Sequence, residues 1–309
     1  MVACVALLTA CGSEPDQAPP SPSEAAAPAP APKLDGAYRL TFDPATRLNG
    51  VVEPPTPVPD GEWSFRSACG ANGCVATSAD PTQTIRVFDD VDGAWTFVAV
   101  QPDGWRCPGD QGPGTETWTT WRISSAQDGG LTGTVTDIGA DACPGVRERT
   151  FALAAGGQPV DVPDPALEPA RVVSPAEGLR GRYIWSNTRP DDPNMPPAAV
   201  GYGVATPCLR SGERCVSSFT GQPTQPDGRF PAVALNFVDG AWTQLTTGAT
   251  LSCGAGGQAT GTRSYAFPLP APPVGDPIEK LTGEVRAAFT AGDCPKEFVF
   301  TTNLTRTDD

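Results

Sequence analysis

Cysteines are the residues of this chain whose number and spacing most clearly indicate a chemistry. Eight of the ten cysteines fall into two groups of four that follow the same order along the chain. The first group is Cys69, Cys74, Cys107 and Cys143, and the second is Cys208, Cys215, Cys253 and Cys294. An even number at repeated spacings is typical of disulfide frameworks in exported proteins. The alternative, a four-thiolate zinc site, usually requires C-x₂-C spacings, which the sequence lacks.

Four cysteines can pair in three ways, and we favour the pattern in which each close pair bridges itself. A short loop between two cysteines can place them across a hairpin, where their Cβ atoms come within bonding range. The four bridges expected on this basis are Cys69–Cys74, Cys107–Cys143, Cys208–Cys215 and Cys253–Cys294. The long bridges restrict the unfolded chain more than the short ones, so we expect them to stabilise their domains more.

The chain contains no histidine, and this excludes several common forms of catalysis. Ser-His-Asp and Cys-His sites are impossible, and the usual zinc and haem sites lose their commonest ligand. The stretch "FDDVDG" imitates a calcium loop, but Phe88 stands at the first ligand position and Ala99 at the twelfth. A glycosidase needs only two carboxylates, yet nothing marks such a pair. We therefore predict that the protein is not an enzyme and holds no metal or cofactor.

The charge of the chain limits its partners. The formal net charge is −14 and the isoelectric point is about 4.4. Phosphate backbones and anionic lipid headgroups would be repelled by a protein of this charge. We therefore expect no nucleic acid partner, and we expect the acidity to keep an exported protein soluble.

The six residues "VDGAWT" occur twice, at Val91–Thr96 and again at Val238–Thr243. Around each copy the same features recur in the same order: a Gly-x-Tyr start, a close cysteine pair, a third cysteine, a Leu-Thr-Gly and a Cys-Pro. The sequence therefore predicts two copies of one domain, over 34–155 and 178–306. The Pro-rich stretch 156–177 reads as a linker, and we expect little contact between the copies.

Each copy offers about eight short runs rich in Val, Thr, Phe, Tyr and Trp, separated by turn residues. This predicts an all-β protein made of two tandem antiparallel eight-stranded barrels, stapled by disulfides; the alternative is a pair of β-sandwiches. The repeated Asp-Gly predicts a tight turn, and Trp95 and Trp242 would anchor the strands that follow it. Four further tryptophans have no evident counterpart in the other copy: Trp105, Trp118, Trp121 and Trp185.

Three resemblances follow from these motifs. The Gly-x-Tyr start resembles the Gly-x-Trp that opens lipocalin-like barrels, and Arg306 resembles their closing arginine, although the first copy has no arginine after Leu153. The cysteine and tryptophan pattern of both copies resembles tandem secreted domains of high-GC Gram-positive lipoproteins and of some serine/threonine kinase ectodomains. The chain contains no kinase domain. These resemblances imply non-catalytic domains outside the cell.

The chain opens with "MVACVALLTACGSEP", in which Leu8-Thr9-Ala10-Cys11 resembles the lipobox of bacterial lipoproteins. The resemblance implies that Cys11 is acylated and that 1–10, including Cys4, is a signal peptide that is removed. No Lys or Arg precedes the apolar run, so we expect the true start to lie further upstream. Residues 11–33 would carry the lipid and a Pro/Ala-rich tether. The protein would then be exported and held on the outer face of the cell membrane.

Together these patterns predict a cell-envelope lipoprotein that binds a small apolar ligand or another envelope component without catalysing a reaction. The alternative is a structural or protein-interaction module of the envelope with filled barrels. Barrels of eight strands can either hold one small ligand or be filled by their own side chains. The state of the two lumens therefore distinguishes the hypotheses.

Replacing Cys11 with Ser should release the protein from the membrane without unfolding it, because the tether separates the lipid from the domains. Cell fractionation and the thermal melt of the released protein would measure this. Loss of both folding and export in the variant would contradict the prediction, since the N-terminus would then be part of the folded structure.

Overall fold

The structure is a computed structural model, and it describes most of the two repeats and the linker between them. The described residues are 31–53, 61–71, 73–107, 114–127, 129–140, 143–190, 198–222, 231–252, 258–289 and 297–307. The expected lipidation site Cys11, the signal peptide and most of the tether lie outside them, as do Cys253 and Cys294. Within these ranges, no helix combines the length and apolar character needed to span a bilayer.

The first repeat folds into a closed antiparallel barrel. Its strands are β1 (Gly36–Leu48), β2 (Val51–Glu53), β3 (Gly61–Gly70), β4 (Gly73–Ala79), β5 (Ile85–Val91), β6 (Ala94–Trp105), β7 (Thr115–Ser125), β8 (Leu131–Gly139) and β9 (Gly145–Ala155). Strand β2 is a short partner of the end of β1. The other eight pair in sequence order, and β1 pairs with β9 to close the wall.

The second repeat forms a second closed barrel of eight antiparallel strands. They are β10 (Gly181–Thr188), β11 (Ala198–Ala205), β12 (Cys215–Gly221), β13 (Ala232–Val238), β14 (Ala241–Ser252), β15 (Gln258–Pro268), β16 (Lys280–Phe289) and β17 (Glu297–Thr307). The prediction of two tandem eight-stranded barrels is confirmed, and the sandwich alternative is not adopted. Tyr183 of the Gly-x-Tyr start lies opposite Arg306 in the ladder that closes this barrel.

The repeated hexapeptide forms the same tight turn in both barrels. Asp92 and Asp239 both have φ of 52°, and the glycines that follow have φ of 75° and 76°. Two successive residues with positive φ are the mark of the hairpin turn whose twist matches that of the strands. The tryptophan after each turn points into its barrel: Trp95 is 1% exposed and Trp242 is fully buried. The Nε1 of Trp95 donates to the Pro32 carbonyl at 2.6 Å, and that of Trp242 donates to Ser217 Oγ at 2.8 Å.

The repeated Leu-Thr-Gly motif also has a steric reason. In the first barrel, a side chain on Gly133 would collide with the ring of Phe151. In the second barrel, a side chain on Gly283 would collide with the ring of Phe267. Both glycines therefore let an aromatic ring of the core pack directly against the backbone of the neighbouring strand.

Three disulfides are present among the described residues, and each belongs to the pattern that the sequence favours. They are Cys69–Cys74, Cys107–Cys143 and Cys208–Cys215. Cys69 and Cys74 stand opposite each other in the β3–β4 ladder, with their Cα atoms 4.0 Å apart. Cys107–Cys143 joins the end of β6 to the segment between β8 and β9.

The two barrels pack against each other, so the expectation of little contact between the copies is wrong. A buried cluster combines residues of both barrels: Trp118, Ile138, Ala140, Val146, Val216 and Ala234. Two charged pairs flank it. Nε of Arg210 donates to both carboxylate oxygens of Asp89, at 3.1 and 2.9 Å. Arg214 Nη2 donates to both oxygens of Glu116, at 2.9 and 2.8 Å.

The linker lies along the barrels and contributes short 3-10 turns at Pro165–Leu167 and Pro175–Gly178. Thr77 Oγ1 of β4 donates to the Pro163 carbonyl at 2.6 Å, which holds the linker on the first barrel. The Val172 amide donates to the Arg210 carbonyl of the second barrel at 3.0 Å. A Pro-rich segment bonded to both barrels fixes their separation more closely than a free linker would.

Trp95→Ala and Trp242→Ala should each lower the free energy of unfolding by about 3–5 kcal/mol, because each removes a large side chain from a separate core. The two costs should add in the double variant, since the tryptophans belong to two separate buried clusters. Chemical denaturation of the two single variants and the double variant would measure this. A double variant that loses much less than the sum would show that the two cores behave as one.

Candidate functional site

The lumen of the first barrel is apolar at one end and polar at the other. Next to the VDGAWT turn it is filled by an apolar core: Leu34, Leu40, Trp63, Phe65, Ala76, Phe88, Trp95, Ile123, Phe151 and Leu153. Toward the other end, polar and charged side chains take the inward positions of β8 and β9. They line a cavity of about 420 Å³, which we call the mouth cavity. Its lining is Phe42, Thr46, Glu53, Trp121, Val135, Asp137, Arg147 and Arg149.

Two arginines of β9 point into the mouth cavity. The Arg149 guanidinium lies 5.6 Å from the centre of the Phe42 ring, and its Nε donates to Thr46 Oγ1 at 3.0 Å. Arg147 Nε donates to Glu53 Oε2 at the rim, at 3.2 Å. These inward arginines are spaced two residues apart, as alternation along a strand requires.

Asp137 of β8 is the acidic group within the mouth cavity. It stands opposite Arg147 in the β8–β9 ladder and accepts a hydrogen bond of 2.7 Å from Thr119 Oγ1. Burial raises the pKa of the Asp137 carboxyl above its ordinary value, while the Thr119 hydrogen bond and the charges of Arg147 and Arg149 act in the opposite direction. The burial effect is the larger one, so this carboxylate is harder to ionise than a surface aspartate.

Arg86 of β5 reaches into the same lumen from the opposite wall. Its guanidinium lies 4.8 Å from the Trp63 ring centre and 5.8 Å from that of Trp121. Arg86 Nη1 donates to Asp80 Oδ2 at 2.8 Å. Burial raises the pKa of the Asp80 carboxyl, but hydrogen bonds from Thr82, Arg86 and the Thr84 amide outweigh it and lower that pKa to about 2. Asp80 is therefore a fixed anion that holds Arg86 against the aromatic rings.

A second, larger cavity lies between the two barrels, and we call it the inter-barrel cleft. Its volume is about 660 Å³. Within the described residues, β5 and β6 pair only near their turn, from Asp89 with Thr96 to Val91 with Ala94, and then diverge. The cleft lies over this divergence. Its walls are lined by apolar or small side chains, which include Val87, Val98, Thr136 and Ile138 of the first barrel and Val204, Ala205 and Pro207 of the second.

Several charged side chains line the cleft, and four of them form two ion pairs there. The other charged residues of the lining are Arg86, Asp92, Arg122, Glu148 and Arg180. Arg210 is bonded to Asp89 across the two barrels. Arg171 and Glu177 of the linker form an ion pair at 2.5 Å, with side chains that are 20% and 15% exposed. Pairs this sheltered from water are screened less than surface pairs. An ionic ligand that bound one of these four groups would have to break its pair.

The lumen of the second barrel is filled with aromatic side chains. The Trp185 ring contacts the rings of Tyr202, Phe219, Tyr265 and Phe267, with centroid separations of 5.3 to 5.8 Å. Edge-on and tilted contacts at these distances are favourable for aromatic pairs. In the described part of the second barrel, Trp185 thus occupies the central space that a ligand would need.

No ligand-binding residue is predicted from the sequence, but the structure gives the four unmatched tryptophans distinct positions. Trp121 lines the mouth cavity and Trp118 lies between the barrels. Trp105 donates through Nε1 to the Cys143 carbonyl at 3.1 Å and packs beside the Cys107–Cys143 bridge. Cys208 borders the cleft, but as a disulfide it stabilises the wall. The inward arginines were missed, although Arg147 and Arg149 alternate with Phe151 on one face of a strand.

The fold and its cavities define a class: disulfide-bonded β-barrel domains with ligand-sized cavities. Residues 31–167, which contain the first barrel, match the family model of the PknI serine/threonine-protein kinase sensor domain. The resemblance to a kinase ectodomain is thereby confirmed for this part of the chain. No curated protein sequence matches the chain.

The solved structures that are similar to this chain include the following two. The monomer form of the Mycobacterium tuberculosis PknI sensor domain is 22% identical, with a TM-score of 0.36 over 45% of this chain and 99% of that chain. A protein of unknown function from Nostoc punctiforme is 11% identical, with a TM-score of 0.21 over 88% of this chain and 96% of that chain.

Asp80→Asn should destabilise the protein by about 2 kcal/mol at neutral pH, since a carboxyl whose pKa falls from 3.8 to about 2 contributes that much. The contribution of a lowered pKa is complete above about pH 5 and is lost as the pH falls through about 2. The difference between wild type and variant should therefore shrink over this range. Urea denaturation between pH 2 and pH 7 would measure it, with the exposed Asp103→Asn as the control. A difference that does not change with pH would contradict the assignment.

Proposed function

We propose that the protein is a non-catalytic binding module of the cell envelope that holds a small, uncharged, predominantly apolar molecule in the inter-barrel cleft. The observation that carries the proposal is a cavity of about 660 Å³ between the barrels, with largely apolar walls. Ligand pockets usually fall between 300 and 1,000 Å³ and often lie between domains. The cleft has both properties.

The walls of the cleft favour an apolar occupant. Val87 and Val98 face it from the diverging strands of the first barrel, and Val204 and Pro207 face it from the second. Removing apolar surface from water is worth roughly 25 cal/mol per Å², so a ligand that covers these side chains gains free energy without any ion pair. The threonine hydroxyls of the β7–β8 wall, such as that of Thr136, can still orient a polar group.

The two ion pairs disfavour an ionic occupant that would bind to them. Because Arg210 is bonded to Asp89 and Arg171 to Glu177, an ionic ligand of any of these groups would have to break a sheltered pair before it could form its own. An uncharged ligand leaves both pairs intact. The apolar walls support the small apolar ligand predicted from the sequence, and the proposal moves its place from a barrel lumen to the space between the barrels.

Export of the protein is supported by two findings. Residues 31–167 match a sensor domain of a serine/threonine-protein kinase, and disulfides persist mainly in oxidising compartments. A lipid on Cys11 remains part of the proposal, as does the tether over 11–33. In this arrangement, the domains stand outside the cell and sample small molecules of the envelope.

The alternative, a structural or protein-interaction module, is favoured by one observation in the second barrel. Trp185 and its ring contacts fill that lumen, so this copy offers its outer surface to a partner. In the combined arrangement, the second barrel supplies one wall of the cleft and stiffens the first. A partner protein would then contact the loops, where the two copies differ in length.

The cleft proposal can be tested with N-phenyl-1-naphthylamine, an uncharged apolar probe whose fluorescence rises when it leaves water. Val87→Trp should fill the cleft and weaken binding of the probe at least tenfold. Val52→Trp makes the same change on β2, where Val52 is 54% exposed, and should leave binding unchanged. Thermal melts would show that both variants are folded.

Native mass spectrometry of the full chain, purified from its own envelope, is a second measurement and detects any molecule that stays bound. A bound neutral molecule that is lost in Val87→Trp and kept in Val52→Trp would support the proposal. Equal probe binding by wild type and Val87→Trp would overturn it. So would a wild-type protein that neither binds the probe nor carries a molecule from the envelope.

A further inference from the structure

The duplication lets each position of the first lumen be compared with its equivalent in the second. Counting from the repeated Leu-Thr-Gly, Val135 and Asp137 of β8 correspond to Val285 and Ala287 of β16. On the next strand, Arg149 is paired with Val135, and Phe300 is paired with Val285. Arg147 and Phe298 likewise face Asp137 and Ala287.

Three charged groups of the first barrel therefore replace three apolar groups of the second. The apolar set, Ala287, Phe298 and Phe300, stands in a barrel of the same strand order, so closing the wall does not require charges at these positions. Bringing charges into a lumen costs free energy unless they are paired. Since the fold does not require Arg147 and Arg149 at these inward positions, the free energy that they cost indicates a functional role for them.

Arg149 is the group best placed to bind a ligand. It makes no ion pair with any carboxylate among the described residues, although Arg147 is paired with Glu53 at the rim. Thr46 and the Phe42 ring hold the Arg149 guanidinium from one side. A guanidinium fixed in this way presents its remaining N–H groups as a planar fork that matches two oxygens of an oxyanion.

The surroundings of Arg149 also fit the body of such a ligand. The rings of Phe42 and Trp121 meet edge to face with centroids 5.9 Å apart, and both line the cavity of about 420 Å³. The rings offer apolar surface directly beside the guanidinium. A cationic group in the lumen of a protein with a net charge of −14 is a local feature that its overall charge does not explain.

We infer that the mouth cavity of the first barrel is a second binding site, which takes a small molecule carrying an oxyanion on an apolar body, with Arg149 as the anion-binding residue. The site is separate from the inter-barrel cleft, because it opens from the lumen, whereas the cleft lies outside the barrel wall. In the described part of the second barrel, Phe300 stands at the position equivalent to Arg149, so the anion-binding group of this site is missing there.

The test uses 8-anilinonaphthalene-1-sulfonate, an aromatic oxyanion, with the full chain. Arg149→Phe copies the second barrel and should weaken binding of this probe at least tenfold, as should Arg149→Gln. Arg39→Gln removes one charge from the exposed outer face of β1 and should leave binding unchanged. All three variants should bind the uncharged naphthylamine as wild type does, which separates this site from the cleft.

A variant of Asp137 should change binding of the sulfonate probe in the opposite direction. Its carboxylate lies near both arginines and competes with an oxyanion, so Asp137→Asn should tighten binding of the sulfonate probe several-fold. A site that recognised only the apolar rings would not respond to this change. The charged groups that act on Asp137 are Arg147 and Arg149. Glu53 lines the same cavity and is paired with Arg147, so Glu53→Gln should act in the same direction.

Competition identifies the natural oxyanion. Displacement of the probe by decanoate would support a carboxylate ligand, and displacement by inorganic phosphate would support a phosphate ligand. Either result depends on Arg149. Equal binding of the sulfonate probe by wild type, Arg149→Phe and Arg149→Gln would overturn the inference, whatever the result for the cleft.

Discussion

Closure of the eight-stranded wall is the constraint on which the rest of the structure depends. Once β1 meets β9 and β10 meets β17, every second residue of each strand must fit inside a lumen of fixed width. Trp95 and Trp242 each follow the repeated Asp-Gly turn of their barrel and fill one end of its lumen. The space above each tryptophan is therefore finite, and the side chains on the remaining inward positions decide whether it is packed or left open.

The two barrels use that space differently although they share one frame. The second fills it with rings around Trp185, and the first lines it with arginines and an aspartate. Packing the barrels side by side then creates a third space, which belongs to neither alone. A duplicated domain has thus produced three environments: a filled lumen, a charged lumen and an apolar cleft.

The sequence predicted the features that repeat and missed those that arise between distant residues. Two β-barrels, the Asp-Gly turns and the three described bridges follow from local patterns and from counting. In "RERTF", alternation places Arg149 on the face of Phe151, but a charge favours the solvent and a ring favours the core. The burial of Phe151 in the structure decides that this face points inward. The contact of Arg210 with Asp89 joins residues 121 positions apart, and no local pattern predicts such a pair.

Because β5 and β6 pair over only a short ladder, the lumen of the first barrel and the inter-barrel cleft lie next to each other where these strands diverge. Arg86 and Phe97 border the cleft, yet their side chains also meet inside the first barrel, 6.0 Å from guanidinium to ring centre. The partition between the two compartments is thus a pair of side chains and not a hydrogen-bonded wall. Rotamer changes occur far faster than the separation of strands. A ligand bound in one compartment can therefore change the shape of the other by moving the Arg86 side chain, without any opening of the barrel.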